Sequence, residues 1–239
     1  MIKLAVSGCQ GRMGQRILSL AQEDKNFKIS CLLEHEDNPA IDQKYKNIAI
    51  SADPNNLKGS NVLIEFTTPE ATLANLKACI KHNVKMVIGT TGLLDDHIKV
   101  IESAARKIPI VFSSNMSVGV NILFKLAREV AAQTKNAYTI KIIEAHHIHK
   151  KDKPSGTAKS LARIVEDASG QKVSDFEVIR EGEIIGDHDV IFESSVDKII
   201  IGHRAKTRDI FAEGSLVAAK FVAKKSKGLF DMQDVLGLK

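Results

Sequence analysis

MIKLAVSGCQGRMGQRILSLAQ, residues 1–22, decides the fold class of this chain of 239 residues. Ile2 to Ser7 predicts a short buried strand, and the apolar residues after position 14 recur at helical spacing. Between them, glycines at positions 8, 11 and 14 let the backbone turn sharply and approach a ligand closely. Strand, glycine turn and helix is the order of a Rossmann-like α/β fold, in which a pyrophosphate lies at the helix N-terminus.

The glycine spacing is G-x-x-G-x-x-G, because Gln10 stands where the common G-x-G-x-x-G pattern has its second glycine. The next predicted strand, Lys28 to Leu33, leads to Glu34, where a carboxylate can accept hydrogen bonds from an adenosine ribose. Arg12 adds a charged donor for phosphates or ribose. The alternative for Glu34 is an ordinary surface carboxylate after a strand.

Three further predicted strands each end in a small polar loop. Asn61–Phe66 precedes a helix with Pro69 in its first turn, Val84–Ile88 precedes residues 89–92, and Pro109–Phe112 precedes residues 113–116. Because the carboxyl ends of parallel strands meet at one sheet edge, residues 89–91 and 113–116 are expected to line a nicotinamide. Ordinary strand-to-helix turns remain the alternative.

The second half of the chain has a different pattern. After a helix over residues 118–133 come a strand at 139–144 and the segments DFEVIREG, DVIFESS and DKIIIGHRA, which predict antiparallel strands. The last segments, FAEGSLVAAKFVAKK and GLFDMQDVL, are expected to be helical. A parallel first half and an antiparallel second half indicate two domains with a boundary near Met116.

The run EAHHIHKKDKPSGTA, residues 144–158, packs histidines and lysines immediately before a predicted helix start. Unpaired N–H groups and the helix dipole suit Ser155, Gly156 and Thr157 to receive a carboxylate or phosphate. A solvated basic loop is one alternative. A metal site is another, with His147 and His149 on one strand face, but the dense positive charge disfavours a divalent cation.

Composition and charge exclude several classes of protein. The formal net charge is +5, yet aromatic residues make up only 5% and tryptophan is absent, so stacking platforms for nucleic acid are scarce. Three cysteines form no disulfide framework, which suits a reducing cytoplasm. The N-terminus lacks the pattern of a signal peptide, and no stretch is expected to span a membrane.

The chain closely resembles the dihydrodipicolinate reductase family, also called 4-hydroxy-tetrahydrodipicolinate reductase. The motifs that carry the resemblance are GCQGRMG, EFTTPEATL, VIGTTG, FSSNMSVGVN, EAHHIHKKDKPSGTA and GLFDMQDVL. The resemblance implies a dinucleotide-binding domain over residues 1–116 and 208–239, and a mixed-sheet substrate-binding and oligomerisation domain over residues 117–207. It also implies a homotetramer and NAD(P)H-dependent reduction, with loss of water, of a cyclic imine dicarboxylate in diaminopimelate and lysine biosynthesis.

The resemblance also assigns roles to single residues. His146 matches an acid/base residue and Lys150 a proton donor, although an unshifted lysine, with a pKa of roughly 10.4, is better suited to stabilising negative charge. His147, Gly156 and Thr157 match substrate contacts, and no metal ligand is implied. The expected cofactor contacts are Gly8, Cys9, Gln10, Gly11, Arg12, Met13, Glu34, Gly89, Thr90, Thr91, Ser113, Ser114, Asn115 and Met116.

His35 departs from the family pattern. Members that use NADPH well often carry arginine after the acidic residue, where it meets the 2′-phosphate, whereas this chain has histidine. The sequence therefore predicts that the chain uses NADH at least as well as NADPH.

Two rival functions stay open. One is another two-domain enzyme such as homoserine or aspartate dehydrogenase, and the other is a non-catalytic NAD(H)-binding sensor.

Overall fold

The computed structural model describes all 239 residues, and the chain folds into two compact units. The first unit comprises residues 1–117, 211–237 and 239, and the second comprises residues 118–210 and 238. None of the helices is both long enough and apolar enough to cross a membrane.

The chain forms twelve strands and seven α-helices. The strands are β1 (Ile2–Ser7), β2 (Phe27–Leu33), β3 (Lys44–Tyr45), β4 (Ile48–Ser51), β5 (Val62–Glu65), β6 (Lys85–Ile88), β7 (Pro109–Phe112), β8 (Thr139–His146), β9 (Asp175–Arg180), β10 (Asp187–Glu193), β11 (Lys198–Arg204) and β12 (Gly228–Phe230). The helices are α1 (Arg12–Glu23), α2 (Pro69–His82), α3 (Asp95–Ala105), α4 (Val118–Thr134), α5 (Gly156–Ser169), α6 (Asp209–Val222) and α7 (Met232–Leu236).

The first unit is built on an eight-stranded sheet in the order β12-β7-β6-β5-β1-β2-β4-β3. All neighbouring strands are parallel except the short pair β3 and β4. The chain passes from β1 to β2 on one side and later returns to β5 on the other side of β1. This reversal is the switch point at which open α/β sheets bind ligands. The predicted Rossmann-like parallel sheet is confirmed.

Helix α1 packs on the sheet through the face that its periodicity predicted. Ile17, Leu18 and Ala21 are all buried. Gly14, in the first turn, lies so close to the preceding turn that a Cβ there would stand 2.1 Å from the Gly8 carbonyl oxygen and 2.7 Å from the Cys9 Cα. A side chain at position 14 is therefore excluded by the backbone itself.

The second unit has a four-stranded sheet in the order β11-β10-β8-β9. Helices α4 and α5 pack together and cover one face, above a core that includes Phe124, Ile142, Leu161 and Phe192. Strand β10 pairs antiparallel with β8 and β11, as expected. The expectation was wrong for β9, which runs parallel to β8, because the intervening helix α5 returns the chain to the end of the sheet where β8 begins.

The helical prediction for Gly228–Phe230 was also wrong. These residues form β12, which pairs in parallel with residues 109–111 of β7 and extends the first sheet. Three residues carry too little periodicity to distinguish a strand from a helix, so the available sheet edge decides. The helix begins only at Met232, where Asp231 caps it and accepts a hydrogen bond from the Asp234 N–H.

Candidate active site

The glycine turn of the first unit is tied to the end of β2. The N–H groups of Gly8 and Cys9 donate to the Leu33 carbonyl oxygen at 2.9 and 3.2 Å, and the Gly11 N–H donates to the Gly8 carbonyl at 2.9 Å. Gly8 has a φ of +69°, a left-handed conformation that favours glycine. The turn is thus held in one shape at the N-terminus of α1.

A cleft of about 510 Å³ opens beside this turn, at the switch point between β1 and β5. It brings together Gly8, Gly11 and Glu34 with Thr67 and Asn75, and none of its lining residues is lysine or arginine. Residues 89–91 and 113–116 do not line this cleft. A glycine turn, a helix N-terminus and a carboxylate after β2 are the features that fit a dinucleotide.

Glu34 is already engaged through both carboxylate oxygens. Oε2 accepts a hydrogen bond from the Gln10 N–H at 2.8 Å, and Oε1 accepts one from the His35 N–H at 3.0 Å. Each oxygen has a second lone pair, so the carboxylate can still accept hydroxyl groups from a ribose. These bonds hold it against the glycine turn.

The other predicted cofactor residues are placed differently from one another. The side chains of Cys9 and Met116 are buried, so only the backbone of each could touch a ligand, whereas Arg12 is exposed and Met13 half-buried. Thr90 is also buried, and its hydroxyl accepts from the Thr67 N–H at 3.0 Å. The remaining predicted residues lie in two loops: Gly89, Thr90 and Thr91 follow β6, and Ser113, Ser114, Asn115 and Met116 follow β7.

A buried carboxyl group, Glu65, lies beneath the cleft and was not anticipated from the sequence. It is fully buried, Thr67 Oγ1 donates to it, and Asn75 Nδ2 donates to it at 2.7 Å. Burial without a cationic partner raises the pKa of Glu65 to about 7, although these hydrogen bonds oppose the rise. The signal in the sequence was a lone carboxylate inside the apolar strand VLIE.

Replacing Glu65 by glutamine is expected to remove a pH-dependent loss of stability. The pKa rises from 4.5 unfolded to about 7 folded, so the folded chain holds the proton more tightly. The resulting contribution of Glu65 to the free energy of unfolding is complete below pH 4.5 and is lost as the pH rises through 7. The difference is about 3 kcal/mol. Urea unfolding at pH 5 and pH 8 measures it. The exposed Glu102→Gln variant should keep the wild-type pH dependence, and parallel curves for wild type and Glu65→Gln would contradict the expectation.

In the second unit, Glu144 and His146 form a buried pair on one face of β8. They are two residues apart on a strand and therefore point the same way. Nδ1 of His146 contacts Oε2 of Glu144, and Oε1 of Glu144 accepts from the Arg180 Nη2 at 2.7 Å and the Ser155 N–H at 3.2 Å. Burial alone would raise the pKa of Glu144, but the bonds from Arg180 and His146 outweigh it and lower that pKa. Glu144 is therefore a carboxylate.

The pair sets the chemistry of the His146 ring. A carboxylate at Nδ1 favours the tautomer with its proton there, which leaves Nε2 with a lone pair. Burial lowers the pKa of His146 below its usual value, and Lys150 and Arg180 add to this while Glu144 opposes it. The ring is therefore neutral near pH 7, and Nε2 can accept a proton.

Lys150 lies in the turn after β8, and its ammonium contacts Asp152 Oδ1 at 2.9 Å. The Asp152 carboxylate also accepts a hydrogen bond from the Gly156 N–H at the start of α5. Burial would raise the pKa of Asp152, but Lys150 and these bonds lower it. The ammonium and the helix start are thus close enough for one carboxylate to bind both.

The remaining predicted substrate residues surround this point in the sequence and differ in exposure. His147 is half-buried and its Nδ1 has no partner, while its ring lies 6.1 Å from that of His149. Thr157 is half-buried in the first turn of α5. Ser155 is not a ligand group in this structure: its hydroxyl caps α5 by accepting from the Ala158 N–H, and its N–H binds Glu144.

Two residues of this cluster, Arg180 and His188, were missed from the sequence. Arg180 ends β9 opposite His146, and His188 lies in β10 opposite Glu144. The available signal for His188 was its place in the inward row of β10, which continues through the apolar Val190 and Phe192. A polar residue in an apolar row is a candidate for a buried network.

Glu144, His146 and His188 also offer three ligand atoms within 4.8 Å of one another, a spacing that a metal ion could use. The contacts favour a hydrogen-bonded network instead. Both carboxylate oxygens of Glu144 are engaged, and the Arg180 guanidinium lies 2.7 Å from one of them. A cation at that position repels a second cation.

Comparison with known proteins places the whole chain in one group. Family models described as dihydrodipicolinate reductase, N-terminus and C-terminus, match residues 2–116 and 119–236. The 4-hydroxy-tetrahydrodipicolinate reductase of Syntrophotalea carbinolica is 39% identical over 267 positions, covering 100% of both chains. That of Nitrosomonas eutropha is 40% identical over 266 positions, covering 100% of this chain and 99% of the relative.

A solved structure supports the fold. The dipicolinate-bound dihydrodipicolinate reductase from Paenisporosarcina sp. TG-14 superimposes with a TM-score of 0.84 at 22% identity, covering 98% of each chain. Sequence identity over the full length and the two family models agree with the motifs at the glycine turn and around His146. The chain therefore belongs to the dihydrodipicolinate reductase family.

Proposed function

We propose that this chain reduces 4-hydroxy-tetrahydrodipicolinate, with loss of water, to tetrahydrodipicolinate in diaminopimelate and lysine biosynthesis. The observation that carries the proposal is the buried Glu144–His146 pair, which comes just before Lys150 and the start of α5 in the chain. The relatives that match the whole chain have this activity in their names. Together with the glycine turn of the first unit, this makes the chain an oxidoreductase that uses a nicotinamide dinucleotide.

The residues of the second unit suit a dicarboxylate that accepts a hydride. A bound nicotinamide supplies that hydride. Hydride addition at a ring carbon leaves an electron pair on the ring, and one proton must follow. We assign charge stabilisation to the Lys150 ammonium. Nε2 of His146, which holds a lone pair, would first accept a proton from solvent and then deliver it to the ring atom that carries the new electron pair. Gly156 and Thr157 would bind one carboxylate at the helix start, with His147 as a further contact.

Substrate-dependent oxidation of the reduced cofactor tests the proposal directly. The chain is mixed with freshly made 4-hydroxy-tetrahydrodipicolinate and either NADH or NADPH, and the loss of the reduced-nicotinamide absorbance is followed. We expect oxidation that requires both enzyme and substrate. A chain that binds the cofactor but oxidises neither form would instead support the sensor hypothesis. If the chain instead oxidised the reduced cofactor while forming homoserine or aspartate from the corresponding carbonyl compound, that result would support the rival dehydrogenases.

We further propose that NADH serves at least as well as NADPH. The support is the charge of the cleft, whose lining includes Glu34, His35 and Glu36 but no lysine or arginine. His35 is exposed, and its Nδ1 lies 3.6 Å from the Asp37 carboxylate. A 2′-phosphate would meet acidic groups rather than the bidentate guanidinium that binds phosphate well.

Measured kcat/KM values for the two cofactors are expected to be equal or to favour NADH. A His35→Arg variant should raise kcat/KM for NADPH by roughly tenfold while leaving that for NADH nearly unchanged, since a new guanidinium can pair with the 2′-phosphate. The His82→Arg variant serves as the charge control, because His82 lies at the end of α2 and does not line the cleft. A wild-type preference for NADPH of tenfold or more would contradict this proposal.

We also propose a homotetramer assembled through the second unit. The face of its sheet that α4 and α5 leave uncovered carries Ile143, Ile191 and Ile200, of which Ile200 is 59% exposed, flanked by charged pairs such as Arg204 with Asp189. Light scattering should give the mass of four chains of 26.1 kDa. A monomer at micromolar concentration would contradict the proposal, and Ile200→Lys should dissociate the tetramer.

For localisation we propose the cytoplasm. Cys9, Cys31 and Cys79 are all free thiols and all buried. Burial raises the pKa of Cys31 to about 11, so this thiol is unreactive at neutral pH. Free thiols without any disulfide suit a reducing compartment.

A further inference from the structure

His188 is a buried imidazole to which the proposed reaction assigns no task. It is 3% exposed and lies directly opposite Glu144 in the pairing of β10 with β8. Burial lowers the pKa of His188 to about 3, and His146 adds to this, so the ring is neutral at neutral pH. Its Nδ1 is buried without a partner. Burying an unpaired polar atom is costly, so the remaining contacts of this ring must offset that cost.

Two contacts connect His188 to the proposed site. Its Nε2 lies 3.2 Å from the Ser155 hydroxyl, and its ring packs edge to face against His146 with the ring centroids 5.1 Å apart. The same hydroxyl accepts from the Ala158 N–H at 3.2 Å and so caps α5. His188 therefore touches both the acid/base ring and the residue that begins the carboxylate-binding helix.

The other side of His146 is equally constrained. A Cβ added at Gly186 would lie 3.2 Å from the His146 Nε2, so the backbone before β10 passes close to that atom. Glu144 binds the opposite ring nitrogen. The ring is thus held by a carboxylate at Nδ1, by the His188 ring and by the backbone at Gly186, and it has little freedom to rotate.

We propose that His188 is a positioning residue, which holds the His146 ring and, through Ser155, the start of α5 in the one arrangement that the reaction needs. This inference rests on the function proposed above. Neither His188 nor Ser155 needs to touch substrate for this role. Loss of the Nε2 bond would let the first turn of α5 shift relative to His146, and small displacements of reacting groups lower rates strongly.

Kinetics of His188→Leu and His188→Gln test the proposal, with Phe192→Leu as a matched control. Phe192 is fully buried and lies four residues after His188 on the same face of β10. Its truncation therefore loosens β10 without removing a contact of His146, His188 or Ser155. We expect His188→Leu to lower kcat/KM by roughly tenfold or more. Part of that loss should be a higher KM for the dicarboxylate, with the KM for NADH unchanged. Glutamine, whose amide can reach Ser155, should restore most of the activity.

A double-mutant cycle with Ser155→Ala separates positioning from general loosening. Because the two side chains act through one hydrogen bond, the double variant His188→Leu/Ser155→Ala should be little worse than either single variant. Additive losses, an equal loss in Phe192→Leu, or full activity in a folded His188→Leu would each overturn the inference. Absence of turnover in the wild type would overturn the proposed function instead, so the two failures are distinguishable. Thermal unfolding of each variant confirms that the assays use folded protein.

Discussion

Replacing Lys150 by alanine is expected to lower kcat by roughly 10²-fold or more in the proposed reaction. In the structure its ammonium binds Asp152, whose carboxylate also accepts the Gly156 N–H. A substrate carboxylate, or charge that develops as hydride arrives, would meet the same ammonium. Without it, the negative charge lacks a nearby cation at the moment it forms. Steady-state and single-turnover kinetics with saturating NADH measure the loss.

Three further variants show what Lys150 contributes. Lys151→Ala and Lys153→Ala remove exposed lysine side chains from the same loop and should retain near wild-type kcat. Lys150→Arg keeps the positive charge but is too weak an acid to give up a proton. Activity intermediate between wild type and Lys150→Ala would support charge stabilisation, and activity as low as in Lys150→Ala would support proton donation. Wild-type kcat in Lys150→Ala would contradict the catalytic assignment.

Replacing Gly14 by alanine is expected to destabilise the first unit and to weaken cofactor binding. The new methyl group would stand 2.1 Å from the Gly8 carbonyl oxygen and 2.7 Å from the Cys9 Cα, and neither backbone atom can move without shifting the turn or α1. Overpacking of this kind costs about 3 kcal/mol or more. NADH affinity should fall by roughly tenfold or more, because the helix N-terminus leaves the phosphate position.

Urea unfolding and NADH titration measure these two effects. The neighbouring Gln15→Ala variant changes an exposed residue of the same helix and should alter neither stability nor affinity appreciably. Wild-type affinity in Gly14→Ala would mean that α1 does not need its close approach to the turn. That result would remove the structural support for phosphate binding at this helix.

Much of the candidate site could be predicted because its residues are neighbours in sequence. Glu144 and His146 share a strand face by simple alternation, and Ser155 caps α5 as the residue before a helical pattern should. Arg180 and His188 come from other strands, 36 and 44 positions beyond Glu144. Their contacts depend on the register of three paired strands, which local patterns do not specify.

The fold likewise has elements that local patterns predict and elements that only strand pairing decides. Elements with a clear local pattern, such as α1 and the strands β1, β5 and β7, matched their predictions closely. The short strand β12 did not, and neither did the direction of β9. In both cases the deciding interaction is a hydrogen-bonded partner strand distant in the chain.

By itself, the sequence determined the Rossmann-like half, the family and the run from Glu144 to Thr157 that holds the candidate site residues, because each depends on patterns within short segments. Only the tertiary structure decided that Glu144 is bound by Arg180, that His188 packs on His146, and that Glu65 is buried without a cation. Those facts set the charge states of the site. They arise from which strands pair and which groups lose contact with water, and burial and neighbouring charges shift pKa values only after the chain has folded.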